Sequence, residues 1–310
     1  LLAKGEIVAL PTETVYGLAA DAKNVDAVKN IFTVKNRPSN HPLIVHIASF
    51  DNLSEWVQEI PPVAAVLAQH FWPGPLTLLL KKHDQVNSVV TGGLQTIAIR
   101  VPDNKAFLHI LNLLNSGIAA PSANPYKRIS PTTADHVMAG LAGKISAVVD
   151  GGPCQVGIES TIVDVTKDVV TILRHGPITK KMIEDVLKAP VASPLVHLEK
   201  VPGNVQSHYQ PHTKTSLFSL DEIDQLLSQA ENKKKKFGLI HYSDFTCTYQ
   251  NVTVKKLSKD KNMYGQSIYK VLHELDVIDA DEILIEMPPH EDSWSDIFDR
   301  LSKATAIDKN

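Results

Sequence analysis

Apolar residues along the chain fall into short runs and helical spacings that alternate. Runs at residues 6–10, 43–48, 76–81, 96–101, 117–120, 147–150, 160–165 and 169–173 predict strands, the first stopped by Pro11. Between the first two, Val28, Ile31 and Phe32 share one face of a predicted helix over 26–34, with Asp26 as its N-cap. Further helices are expected over 53–58, 62–70, 106–115, 133–139 and 180–187, the second of these carrying proline in its first turn. Strands interleaved with helices, some of the strands adjacent, indicate an α/β domain around one open, twisted, mixed sheet.

The pattern lapses near residue 190. Pro190, Pro194, Pro202, Gly203 and Pro211 punctuate a stretch without sustained periodicity, which reads as an ordered or semi-extended linker and a candidate lid. A second pattern follows, with strands over 215–219, 237–242, 252–256 and 282–286 and helices over 221–230, 266–275 and 293–304. The expected organisation is a domain over 1–189, a linker over 190–214, and a smaller open α/β unit over 215–310. The run Lys233–Lys236 reads as a solvated helix end or loop.

Composition narrows the function classes. The chain has 310 residues, 43% of them hydrophobic, and a formal net charge of −3. Lysine plus arginine number 17 against 16 acidic residues up to Pro190, and 14 against 18 beyond it, so neither part is a basic nucleic-acid module by composition. Cys154 and Cys247 form no CxxC pair, which argues against a zinc ribbon or a disulfide framework and suits a reducing, cytoplasmic setting. No apolar run approaches the roughly 20 residues of a membrane helix. The chain opens at Leu1-Leu2 without methionine, so its start says nothing of targeting.

Only five arginines occur, and two of them end apolar strands. In Thr96-Ile97-Ala98-Ile99-Arg100, alternation sets Ile97 and Ile99 on one face and Thr96, Ala98 and Arg100 on the other; Arg174 ends Thr171-Ile172-Leu173 in the same way. A buried guanidinium needs either an anionic ligand or an internal carboxylate. Lys35-Asn36-Arg37, Ser122-Ala123-Asn124, Ser160-Thr161, Ser130 and Thr14 add cations and hydroxyls in loop or strand-end positions, the parts of a site for a phosphorylated ligand. The chain has no P-loop, no GxGxxG after the first strand, no HExxH and no GxSxG. His208 and His212 have Pro211 between them, which disfavours a shared metal.

Taken in order, these segments resemble the YrdC/Sua5 family. The similarity is carried by Pro11-Thr12-Glu13-Thr14-Val15-Tyr16-Gly17-Leu18, Lys35-Asn36-Arg37-Pro38, Pro42-Leu43-Ile44-Val45-His46 and Trp72-Pro73-Gly74-Pro75-Leu76-Thr77. It continues through Ile99-Arg100-Val101-Pro102, Ala120-Pro121-Ser122-Ala123-Asn124, Ile129-Ser130-Pro131-Thr132, Gly157-Ile158-Glu159-Ser160-Thr161 and Leu173-Arg174. Pro202-Gly203 and His208-Tyr209-Gln210-Pro211 resemble the linker of the long Sua5 form, whose extra C-terminal domain is Rossmann-like.

The resemblance implies a YrdC-like open mixed sheet with a positively lined concave surface and threonylcarbamoyl-AMP synthase activity. It implies a threonine side of Thr14, His46, Arg100, Ala120 and Ser160, and an ATP side of Arg37, His41, Thr96, Ser122, Asn124, Ser130 and Arg174, with Tyr209 of the linker over the nucleotide. Lys35 and Arg37 would offset phosphate charge, and Mg2+ would be chelated by the phosphates with no protein metal site. The substrates would be L-threonine, bicarbonate and ATP, with the product passing to a tRNA threonylcarbamoyl transferase; tRNA binding by the chain itself is compatible but not required. His41 replaces a frequent asparagine, and His175 a frequent proline. Two other readings stay open: an RNA-binding module, and carbamoyl transfer to another acceptor as in hydrogenase-maturation enzymes.

Overall fold

The computed structural model describes residues 1–194, 199–203, 207–232 and 235–306, and the chain divides into two units. The first comprises Leu1–Tyr126 and Ser130–Asn204; the second comprises Lys127–Ile129 and Val205–Asn310. Residues 195–198 and 204–206 of the expected linker, and 233–234 of the lysine run, lie outside the described residues.

The strands of the first unit are β1 (Val8–Leu10), β2 (Gly17–Asp21), β3 (Ile44–His46), β4 (Leu76–Lys81), β5 (Thr96–Arg100), β6 (Ile118–Ala119), β7 (Ala147–Val148), β8 (Thr161–Asp164) and β9 (Thr171–Arg174). They form one mixed sheet in the order β7-β1-β2-β6-β3-β5-β4-β8-β9. Helices α1 (Val25–Lys35), α2 (Pro62–Phe71), α3 (Ser88–Thr91), α4 (Lys105–Leu114), α5 (Ala134–Leu141) and α6 (Lys180–Leu187) connect them.

Strand β2 is absent from the sequence-based expectation. Gly17, Ala19 and Ala20 have little strand propensity of their own, and pairing with β1 on one edge and β6 on the other imposes the conformation. Helix α1 is capped by Asn24 rather than Asp26: the Asn24 side chain accepts from the backbone N–H groups of Asp26 and Ala27 at 3.1 Å. Asp26 sits in the first turn, where its charge still favours the helix N-terminus. In place of a helix over 53–58 there is a 3-10 segment, Phe50–Glu55, and α3 was not anticipated because it spans only four residues.

The faces of the sheet separate two tasks. Ile97 and Ile99 join the main core with Val45, Leu78, Leu67 and Val163. Ala98 lies on the opposite face, in a small apolar cluster with Ile44, Leu79, Ile162, Leu173 and Val201. Register extends that face. His46 pairs with Arg100 two residues beyond the Ile44–Ala98 pair, and Thr77 and Arg174 both pair with Ile162. Thr77, His46, Arg100 and Arg174 therefore share one face of the sheet. Beyond α6, residue 192 runs along β9, with Ile172 N–H donating to the Ala192 carbonyl at 2.8 Å.

The second unit holds β10 (Thr215–Phe218), β11 (Phe237–His241), β12 (Val252–Lys256) and β13 (Glu282–Glu286), all parallel, in the order β10-β13-β11-β12. Helices α7 (Ile223–Asn232), α8 (Lys261–Leu275) and α9 (Ser295–Ala304) accompany them. Helix α8 starts five residues before the expected 266, because Asp260 caps it and the buried Tyr264 and Ile268 outweigh the low propensity of Gly265. Its core gathers Phe218, Ile223, Leu227, Phe237, Leu239 and Leu284. Among the described residues no helix is long and apolar enough to cross a membrane.

Gly176, just past β9, tests how tightly the first unit is built. A Cβ there would stand 2.4 Å from the Thr161 nitrogen and 2.8 Å from the Glu159 carbonyl, both main chain. Gly176→Ala should destabilise the fold by about 1–3 kcal/mol. Urea unfolding checks this, and a variant as stable as the parent would disprove the close approach.

Candidate active site

Arg100, the last residue of β5, is 3% exposed. Nε donates to the Gly74 carbonyl at 3.0 Å, Nη1 to Thr14 Oγ1 at 3.0 Å, and Nη2 to Glu13 Oε1 at 2.5 Å. The Glu13 carboxylate is itself buried, so the pair is an ion pair removed from water. Thr14 is oriented by Thr12, whose hydroxyl lies 2.8 Å from its own. Of the five N–H donors of an arginine, three are taken by these partners, and two remain for a ligand.

Two further polar atoms beside Arg100 are buried without a hydrogen-bond partner among the described residues: Glu13 Oε2 and His46 Nδ1. His46 lies next to Arg100 in register and packs on the Phe107 ring, with centroids 5.1 Å apart. Burial, and then the neighbouring Arg100 charge, push its pKa down to about 3, so its imidazole is neutral at physiological pH. Orphaned polar atoms in a native interior call for an explanation, and a polar ligand supplies one.

On the neighbouring strands Ser160 is the hub. Its hydroxyl lies 2.8 Å from that of Thr77 and accepts from Arg174 Nη2 at 3.0 Å, while its carbonyl accepts from Arg174 Nε at 3.0 Å. Arg174 Nη1 reaches the Pro202 carbonyl at 3.0 Å. Next to Ser160 in sequence, Glu159 accepts from the fully buried Ser130 hydroxyl at 2.6 Å.

The lysine and the remaining arginine hang from the end of α1. Asn36 closes that helix in the left-handed conformation, φ 53°, and turns Arg37 away from the helix axis. Lys35 is 2% exposed, and its ammonium is held by the carbonyls of Ser122, at 2.6 Å, and Asn124. Burial, with a smaller contribution from the Arg37 charge, lowers its pKa well below the usual lysine range. Arg37 donates to the Pro42 carbonyl at 3.0 Å and lies over the Tyr126 ring. The Tyr126 hydroxyl meets His41 Nδ1 at 3.3 Å, and burial together with Arg37 lowers the His41 pKa. The 121–124 loop is pinned to β2, since Leu18 N–H donates to the Pro121 carbonyl and Ala123 N–H to the Tyr16 carbonyl.

A family model for Sua5, YciO and YrdC proteins, described as "Telomere recombination", matches residues 1–176, and one described as "Threonylcarbamoyl-AMP synthase, C-terminal domain" matches residues 178–306. The chain belongs to the Sua5/YciO/YrdC family, in its two-domain Sua5 form. The threonylcarbamoyl-AMP synthase of Pyrococcus abyssi is 37% identical over 97% of this chain and 91% of its own. That of Bacillus subtilis is 37% identical over 98% of this chain and 90% of its own. A crystal structure of P. abyssi Sua5 complexed with L-threonine matches with a TM-score of 0.91 at 36% identity, covering 98% of this chain and 92% of that one.

Within this Sua5 chain the residues named from sequence do not all meet. Thr14 and Arg100 bond directly, with His46 beside Arg100, and Ser160 and Arg174 bond on the same sheet face. Ala120 closes the floor, its N–H donating to the Ile44 carbonyl at 3.0 Å. Lys35 joins the Ser122 and Asn124 carbonyls, and Tyr126 joins Arg37 to His41. Thr96 starts β5, four residues from Arg100 and so about 13 Å along the strand. Tyr209 belongs to the second unit, where its ring is buried against Tyr269 and Arg300. Sequence reasoning does not single out Glu13, Thr77, Tyr126 or Glu159, although Glu13, Thr77 and Glu159 lie inside quoted motifs; nothing in local pattern says which cation or hydroxyl a carboxylate will meet.

His46 gives the site a pH signature. Its pKa is depressed on folding, so the stability it contributes is full above the unfolded value near 6.5 and is lost as pH falls toward about 3. Unfolding free energy of the parent should therefore fall faster between pH 6.5 and 4 than that of His46→Gln, by at most about 1.4 kcal/mol per pH unit for one proton. Parallel curves in chemical denaturation would show that His46 is not held neutral.

Proposed function

We propose that this chain condenses L-threonine, bicarbonate and ATP into threonylcarbamoyl-AMP and pyrophosphate, the activated group used to form N6-threonylcarbamoyladenosine at position 37 of tRNAs reading ANN codons. The observation that carries the reading is the buried Arg100, with two donors left over and unpartnered polar atoms of Glu13 and His46 beside it. A small, polar carboxylic acid suits that setting, and an arginine fork grips a carboxylate through two parallel hydrogen bonds.

In this reading Arg100 holds the carboxylate of threonine, with Thr14, Ser160 and the neutral His46 around its other polar groups. Threonine's ammonium loses a proton to the hydroxide released as bicarbonate gives CO2, the free amine adds to that CO2, and the second proton passes to solvent, giving an N-carboxylate. That carboxylate attacks the α-phosphorus of ATP and pyrophosphate leaves. Catalysis is positioning and charge stabilisation, for which no protein nucleophile is required. Lys35 is suited to the phosphates: a buried ammonium held by two main-chain carbonyls is stabilised in its charged form by an arriving anion. Arg37, with His41, Ser122, Asn124, Ser130, Arg174 and Thr96, is assigned to ATP.

ATP would enter as its magnesium complex, the metal held by phosphate oxygens. The buried carboxylates of Glu13 and Glu159 are engaged by Arg100 and Ser130, and no group of three His, Cys, Asp or Glu stands together among the described residues. The product would pass in the cytoplasm to a tRNA threonylcarbamoyl transferase.

Pyrophosphate release should require both L-threonine and bicarbonate and should fall with serine or glycine in threonine's place. Folded protein that releases none under any condition would overturn the reading. Arg100→Lys should lower kcat/KM for threonine roughly 10- to 150-fold, the equivalent of about 1.5–3 kcal/mol for lost charged hydrogen bonds, with the KM for ATP little changed.

A further inference from the structure

Building on that reading, we infer that Glu13 carries the ammonium group of the bound amino acid through Oε2, and so makes the site selective for α-amino acids over carboxylic acids of the same shape. Glu13 is 5% exposed, and only one of its carboxylate oxygens is used: Oε1 accepts from Arg100, while Oε2 is buried with no partner among the described residues. A carboxylate oxygen shut away from water without a donor is costly, and its retention inside a site points to a donor that arrives with the ligand.

Geometry and charge favour an ammonium as that donor. An amino acid that gives its carboxylate to the two spare N–H groups of Arg100 carries its nitrogen one carbon further on. The carboxyl group bonded to that same guanidinium is then the nearest anion. Arg100 and Glu13 together are neutral, so a zwitterion enters without adding net charge to a buried site. A plain carboxylate would leave one negative charge uncompensated there. The other groups facing the pair cannot play this part. His46 is uncharged, Cys154 remains a thiol with its pKa pushed up to about 12, mostly by burial, and the Thr12 and Thr14 hydroxyls are bonded to each other. Glu13 thereby acts on two fronts, as a brace for Arg100 and as the reader of the ligand nitrogen.

The two roles separate in one comparison. L-Threonine and the 2,3-dihydroxybutanoic acid of matching configuration differ only at the α-substituent, ammonium against hydroxyl. Both are titrated calorimetrically into the full chain and its Glu13→Gln and Glu13→Asp variants. The parent should prefer threonine strongly. In Glu13→Gln the affinity for threonine should fall by about 30-fold or more, as for loss of one partner of a buried charge pair, while that for the hydroxy acid stays within a few-fold. Glu13→Asp, which keeps the charge on a shorter arm, should retain the preference at weaker affinity. Because each ratio is taken within one protein, partial unfolding of a variant changes stoichiometry and leaves the ratio intact. An equal loss for both acids in Glu13→Gln, with a parent that turns over threonine, would overturn the inference and leave Glu13 a brace alone. A parent that binds neither acid would overturn the functional reading and this inference with it.

Discussion

The ion pair between Arg100 and Glu13 is the constraint around which the first unit is arranged. A guanidinium that is 3% exposed must find acceptors for its donors in the protein, since water is not there to supply them. It finds them in the Thr12–Thr14 segment and in the carbonyl of Gly74, far apart in sequence. Those bonds hold the loop before β2 and the turn before β4 against the end of β5. The pair is therefore as much a fastening of three chain segments as a feature of the site. It also explains why an energetically expensive arrangement is tolerated. A buried pair contributes little net stability compared with apolar packing, so its presence points to what it holds in place.

The second organising fact is that the sheet presents its polar side chains on one face. Register puts Thr77, His46, Arg100 and Arg174 on the same side as the apolar cluster of Ala98, Ile162 and Leu173. A dry floor beside charged and hydroxylic groups lowers the local dielectric, which strengthens every interaction a bound anion makes. In the proposed reaction it would also limit the access of water to an unstable carbamate and a hydrolysable mixed anhydride. The two cationic centres on this unit differ in kind. Arg100 already has a carboxylate, so it suits a zwitterion; Lys35 is held by two carbonyls and by no carboxylate among the described residues, so it suits phosphate. That division matches the two halves of the proposed reaction.

The second unit has its own parallel sheet and its own apolar core. The buried Arg300 is held within it, bonded to Asp299 at 2.6 Å and lying 5.3 Å from the centre of the Tyr209 ring. Tyr209 is thereby a core residue of this unit, whatever further role its motif has in relatives.

Sequence alone determined the class of the fold, most of the elements, and the family, because periodicity and motif order are local properties of the chain. Alternation along 96–100 even assigned the faces of β5 correctly, and the alternatives for a buried arginine included the internal carboxylate that was found. What it could not decide was pairing. Strand β2 exists because two neighbours hydrogen-bond to a segment of small residues, and Asn24 rather than Asp26 caps α1 because of where the chain enters the helix. The partnership of Glu13 with Arg100 joins residues 87 positions apart, and that of Ser130 with Glu159 joins residues 29 apart. Charge and hydrogen bonding act through space with little regard to sequence separation, so which carboxylate meets which donor is settled only when the sheet closes.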